Sequence, residues 1–408
     1  MTASLSIDVP VTVHHDPRLR TTSLCIALGF GARHDPPGSA GAAHMLEHLV
    51  MSTPLSDGLS LCERIERRGG DCNAMTGPES LILHAQVLTE DAAEAARWMC
   101  QALLEPRLDQ KRLDDERRVV LQELAAAASD EADAVQDAFL ARLFAGHPLG
   151  SPVGGLPQTV SALTVASVRD AHDLALRTAP LAVSSVGGLP EETLREALLS
   201  AGLGRTPASA VPDPRRGSAG GVPGPLRPGL VERWPDEFCW MLVGGRSPHA
   251  ADPRRHAFTV LGHLLGGSPA SPLYDRLRNQ EALAYSFRSW SRSYSDTGAW
   301  RMLAGCEPGN APRLLDAFRE VLSSVAAHGP DEQAFAAAVR QATVETVREA
   351  EAPLDRAIAT AAHRILSTIA WDADLEIAAL HGVRPEHVAD AAAELTGQLI
   401  AVVRPEGR

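Results

Sequence analysis

Apolar and polar positions alternate through most of the first thirty residues. LSIDVPVTVH (residues 5–14) and TTSLCIALGF (21–30) each read as a β-strand, joined by a polar turn at Asp16-Pro17. HDPPGS (34–39) interrupts the pattern, and Ser39 stands where a cap would open a helix running through His44 and His48. LSLCERIERRG predicts a second helix, ESLILHAQVL (79–88) a strand, and EDAAEAARWMCQALL an amphipathic helix. Good helix formers predominate from about Asp109 to Ala128 and predict a long helix there.

The chain of 408 residues is too long for one comfortable core and implies two domains or one duplicated unit. Residues 207–228, PASAVPDPRRGSAGGVPGPLRP, are dense in Pro, Gly and Ser and read as a linker. It would separate an N-terminal domain, 1–206, from a C-terminal domain, 229–408. The halves look related: LCERIERRGG (61–70) aligns with LYDRLRNQEA (273–282), matching Leu61 to Leu273, Glu63 to Asp275, Arg64 to Arg276 and Ile65 to Leu277. A helix candidate precedes each stretch and a strand candidate follows it, so a duplicated α+β unit is expected. At the same offset His256-Ala257-Phe258-Thr259-Val260 stands against His44-Met45-Leu46-Glu47-His48, so one copy has kept a polar triplet that the other lacks.

A net charge of −13 and the lack of any dense basic run argue against a nucleic-acid partner. No apolar run approaches the ~18 residues of a membrane helix, and MTASLSIDVPVTV has neither the basic start nor the apolar core of a secretion signal. The six cysteines are scattered without a C-x-x-C pair, as suits reduced thiols in a cytoplasmic protein. Phosphate-loop and G-x-S-x-G patterns are both missing, which removes two large enzyme classes.

Chemistry concentrates in GAAHMLEHLV (41–50). On a helix His44 and His48 lie one turn apart on the same face, able to aim two imidazole nitrogens at one ion. Glu47 projects beside them, within reach of a water at that ion without being a ligand. A catalytic zinc needs a third protein ligand, and Glu79, His84, Glu116 and Glu123 are all candidates. Glu116 and Glu123 share a face of the long helix, seven residues apart.

H-x-x-E-H is the inverted zincin signature, and the chain resembles the pitrilysin/insulinase family of zinc metallopeptidases, in particular its mitochondrial-processing-peptidase-like two-domain branch. The family's third ligand sits about 75 residues after the second histidine in an E-R-x-V-V-L-x-E stretch. Here that stretch runs from Glu116 to Glu123. The resemblance implies that His44, His48 and Glu123 hold Zn2+, with Glu47 as general base and Glu116 as a supporting acidic residue. Asn73, Ala74 and Thr76 resemble the family's N-A-x-T segment, an edge strand that pairs with substrate, although Gly77 and Pro78 make the stretch loop-like. Arg278 and Tyr285 resemble its R-x(6)-Y element, which reaches the substrate from the second half.

The fold implied is α+β, two homologous domains each with an antiparallel-rich mixed sheet covered by helices, arranged as a clamshell. The activity implied is endoproteolysis of short or unfolded peptides, for processing or clearance. The chain would work as a homodimer or as a heterodimer with a related subunit. The rival expectation is a non-catalytic or partner-dependent subunit of such a peptidase, with leader-peptide removal from a peptide natural product as one role.

Overall fold

Strand β2 (Thr21–Leu28) has both faces covered. Leu24, Ile26 and Leu28 enter one apolar cluster while Cys25 and Ala27 enter another, the two-residue period of a pleated strand. Two buried faces account for its nearly unbroken apolar run. The computed structural model describes residues 9–205, 223–231, 233–266, 269, 271–284, 286–367 and 370–407. The start of the first expected strand and most of the expected linker 207–228 lie outside the described residues.

The first sheet has the order β1-β5-β2-β4-β3, with β1 at Val11–His15, β3 at Asp71–Thr76, β4 at Leu81–Leu88 and β5 at Leu181–Gly187. Only β1 and β5 run parallel; the other pairings are antiparallel. The second sheet, β7-β8-β6-β9, joins β6 (Cys239–Ser247), β7 (Ser286–Ser293), β8 (Gly298–Cys306) and β9 (Ile400–Arg404), all antiparallel. Apart from β1, the second sheet repeats the first strand for strand.

The helices repeat as well. The first half carries α1 (Ala42–Ser52), α2 (Leu61–Arg67), α3 (Ala92–Leu104), α4 (Gln110–Ser129) and α5 (Glu131–Leu143). In the second half Arg255–Gly266, Asp275–Gln280, Ala311–His328, Glu332–Glu351 and Pro353–Leu366 take the same places in the order. The chain is α+β throughout, with the duplication the sequence suggested.

Two spatial units form, one from residues 1–124, 151–219 and 348–372, the other from 125–150, 220–347 and 373–408. Neither is contiguous in sequence. In the first unit the sheet face bearing Cys25, Ala27 and Ile82 is covered by the helix Pro353–Leu366, through Ala357, Ala361 and Ile365. In the second, Val135, Phe139 and Leu143 of α5 pack on Leu242, Ile400 and Val402. Each sheet is thus closed by the helix that the other half of the sequence encodes.

Two local expectations change. Helix α1 does not open on a Ser39 cap: Gly41, at φ 93°, is its N-cap, and the Asp35 carboxylate accepts the Gly41 and Ala43 N–H groups at 2.7 and 2.8 Å. Burial raises the Asp35 pKa to about 7, against the lowering effect of these N–H groups. Ser60, by contrast, caps α2 in a reciprocal box with Glu63. The stretch 71–76, loop-like by sequence, is a regular strand, because Gly77 and Pro78 lie in the turn after it, closed by Gly77 N–H on the Ser80 carbonyl at 2.7 Å.

A fragment ending at residue 222 lacks the helix Pro353–Leu366 and leaves the Cys25/Ala27/Ile82 face bare. Expressed alone it is expected to aggregate or to melt without cooperativity. Co-expression with 223–408 should restore a soluble complex, checked by size-exclusion chromatography and thermal denaturation.

Candidate metal centre

Helix α1 buries Met45, Leu46 and Leu49 in the core, which turns His44, Glu47 and His48 toward the half-buried side of the helix. Helix α4 is anchored by buried Leu113 and Val120 and brings Glu116 and Glu123 across from them. Glu123 Oε2 stands 3.7 Å from His44 Nε2 and 3.4 Å from His48 Nε2. The two rings lie nearly perpendicular, at 88°, with centroids 4.8 Å apart. One donor atom from each of His44, His48 and Glu123 falls within 4.8 Å of the others, the one such group among the described residues.

Ligands about 2.0–2.1 Å from a tetrahedral zinc stand roughly 3.4 Å apart, and two imidazoles with one carboxylate are a donor set that zinc accepts. His48 Nδ1–H donates to Glu116 Oε2 at 3.2 Å, which leaves Nε2 facing Glu123. A carboxylate behind a ligating imidazole sets its tautomer and orientation. The His44 ring is held by packing instead: its buried Nδ1 has no hydrogen-bond partner, and a Cβ on Gly154 would come within 3.6 Å of it. Gly154 and Gly155 also press against Gly41, where side chains would clash. The residues present therefore fit a zinc ion.

The electrostatics separate the two histidines. Burial, and then the neighbouring His48, lower the pKa of His44. Burial opposes charge on His48 too, but the hydrogen bond to Glu116 and the nearby Glu123 and Glu47 carry its pKa upward. The same bond holds Glu116 below the usual carboxylate range. Glu47 Oε2 accepts a short hydrogen bond from the Thr76 hydroxyl at the end of β3.

Of the other residues singled out by sequence, Asn73 and Ala74 lie on β3, the free edge of the first sheet. Gly77 pairs back to Ser80, so by the strand period the Ala74 N–H points outward, where Asn73 Oδ1 accepts it at 2.8 Å. Glu79 is instead paired with buried Arg33, and His84 lies opposite Asn73 on β4; neither joins the metal group. In the second unit Arg278 is exposed and its guanidinium lies over the Tyr274 ring at 5.5 Å. Tyr285 lies outside the described residues. Asp35, Thr76 and Gly154 were not singled out as site residues; only Thr76, through the N-A-x-T stretch, carried a signal.

Residues 10–155 match the family model described as insulinase (peptidase family M16), and residues 162–342 match that of the peptidase M16 inactive domain. An uncharacterized zinc protease of Mycobacterium leprae is 33% identical over 321 residues, covering 78% of this chain and 72% of that one. Among solved structures, a protease from Helicobacter pylori superposes with a TM-score of 0.84 at 18% identity, covering 98% of both chains. A peptidase M16 inactive domain structure from Pseudomonas fluorescens gives 0.83 at 14% identity, covering 99% of this chain and 97% of that one. The chain belongs to the insulinase family of peptidases, family M16. Among its described residues no helix is long and apolar enough to cross a membrane.

Two substitutions test this arrangement. Glu116→Gln removes the main group raising His48, so the His48 pKa in metal-free protein should fall, read by NMR titration. The same change should weaken zinc binding by about 10–100-fold. Asp35→Ala removes the acceptor of the Gly41 and Ala43 N–H groups at the start of α1 and is expected to cost about 1–2 kcal/mol of stability, measured by urea denaturation.

Proposed function

We propose that the chain is a zinc-dependent endopeptidase acting on short or unfolded peptides. The observation that carries this reading is the convergence of His44, His48 and Glu123 donor atoms beside a Glu47 carboxylate that is not needed as a ligand. His44, His48 and Glu123 would hold the ion, with Glu116 orienting His48. When bound, zinc supplies Lewis acidity, which polarises a carbonyl and acidifies water.

The chain's own residues do the rest. Thr76 holds Glu47 Oε2, so Oε1 is the atom that takes the proton from the attacking water and passes it to the departing amine. The free edge of β3 offers backbone groups to an extended peptide, which suits unfolded substrates. In pairing there, the substrate exchanges with the Asn73 side chain at the Ala74 N–H. Arg278 and Tyr285 are assigned to substrate binding from the second half, through the resemblance that motivated them. Assembly as a homodimer, or with a related subunit, belongs to the same reading.

Glu47→Gln is expected to keep full zinc content while kcat on an unstructured peptide falls by roughly 10²–10⁴-fold. Glu123→Ala should lose the metal. Elemental analysis of both variants beside peptide-cleavage rates tests the assignment; native-rate cleavage by Glu47→Gln, or full zinc in Glu123→Ala, would refute it.

A further inference from the structure

Strand β7 is the free edge of the second sheet. Arg288, Trp290 and Arg292 alternate along it and share one face, directly opposite Leu303, Arg301 and Ala299 of β8. The Arg288 guanidinium lies 4.6 Å from the Trp290 ring centre and that of Arg301 5.1 Å from it, while Arg292 lies 5.8 Å over Tyr294. Arg288 and Arg292 are exposed. Beneath them Arg301 is only 4% exposed; its Nε has no hydrogen-bond partner, and its guanidinium meets the Tyr294 hydroxyl.

Among the described residues, no ion pair joins Arg288, Arg292 or Arg301 to a carboxylate. A buried guanidinium without a counter-charge is costly to keep, and its two arginine neighbours add to the burial that lowers its pKa. This concentration of positive charge stands out in a chain of net charge −13. Spacing narrows what would answer it. A peptide added alongside β7 sets every second side chain on the arginine face, so residues four apart meet Arg288 and Arg292, and the one between meets Trp290.

We propose that the free edge of β7 binds an extended acidic peptide as an added strand, with two side-chain carboxylates four residues apart on Arg288 and Arg292 and an apolar side chain between them on Trp290. Arginine pairs with carboxylates through two parallel hydrogen bonds, and edge pairing supplies the backbone contacts. Arg301 deepens the positive potential under the tryptophan. The proposal concerns binding, and it stands apart from whether the chain cleaves what it binds.

The test uses the full chain carrying Glu47→Gln, so that turnover does not consume the probe. Fluorescence anisotropy compares short end-blocked peptides that differ only in having Glu or Gln at two positions four apart around a Leu. The Glu peptide should bind about tenfold tighter at low salt, and the difference should shrink at high salt. Arg288→Ala/Arg292→Ala, an exposed pair expected to leave the melting curve unchanged, should abolish the preference. Equal affinity for the two peptides, or a preference that survives the double substitution, overturns the proposal. Peptide cleavage by the unsubstituted chain is read separately, so failure here leaves the peptidase reading to its own test.

Discussion

One carboxylate, Glu123, lies within 3.4 and 3.7 Å of imidazole nitrogens on two residues of another helix, and most of the first unit serves to hold that approach. His44 and His48 are only 18% and 14% exposed at their side chains, so they cannot satisfy themselves in water. Their ordering depends on α1 being pinned at its start, by Asp35 and the Gly41 contact with Gly154–Gly155, and on α4 being pinned by Leu113 and Val120. Glu116 ties the same two helices together a turn or two away. A small shift of either helix would part the donors while leaving the core intact.

The duplicated architecture makes the difference between the halves chemical rather than topological. In the second unit His256 occupies the place of His44, yet its ring is taken up by Glu376 at 3.1 Å and the Pro253 carbonyl at 3.0 Å. Val260, buried, stands where His48 does. A histidine–glutamate pair does link the equivalent helices there, His263 with Glu345 at 3.1 Å, but no third donor converges on it among the described residues. The same scaffold carries a ligand set in one copy and ordinary packing in the other. The second copy instead places its unmatched charge on the β7 edge.

Period and spacing made α1 legible: the four-residue interval between His44 and His48 is a property of any helix, as is the position of Glu47 beside them. The third member of the group was not legible in that way. From the residues alone Glu79, His84, Glu116 and Glu123 were all candidates, the apolar Val119-Val120-Leu121 run favoured a glutamate of the long helix, and the family spacing then singled out Glu123. The structure separates them physically, because Arg33 neutralises Glu79, β4 carries His84 opposite Asn73, and Glu116 reaches the far nitrogen of His48. Asp35 and Gly154 escaped notice because each acts on a partner distant in sequence or in an unexpected backbone conformation, which no local pattern announces.

The sequence by itself determined most elements of the first 128 residues and the duplicated order, since those depend on periodicities of two and 3.6 residues. Tertiary structure alone decided what each face is buried against. Val135, Phe139 and Leu143 of α5 and Ala357, Ala361 and Ile365 of Pro353–Leu366 form apolar stripes that must be covered, and either sheet would satisfy that demand. Only the path of the chain in space carries each helix to the sheet encoded by the other half, and only that path brings a carboxylate 75 residues downstream of His48 to the two imidazoles. Burial is non-directional and fixes a stripe; coordination distance is short-ranged and needs the assembled fold.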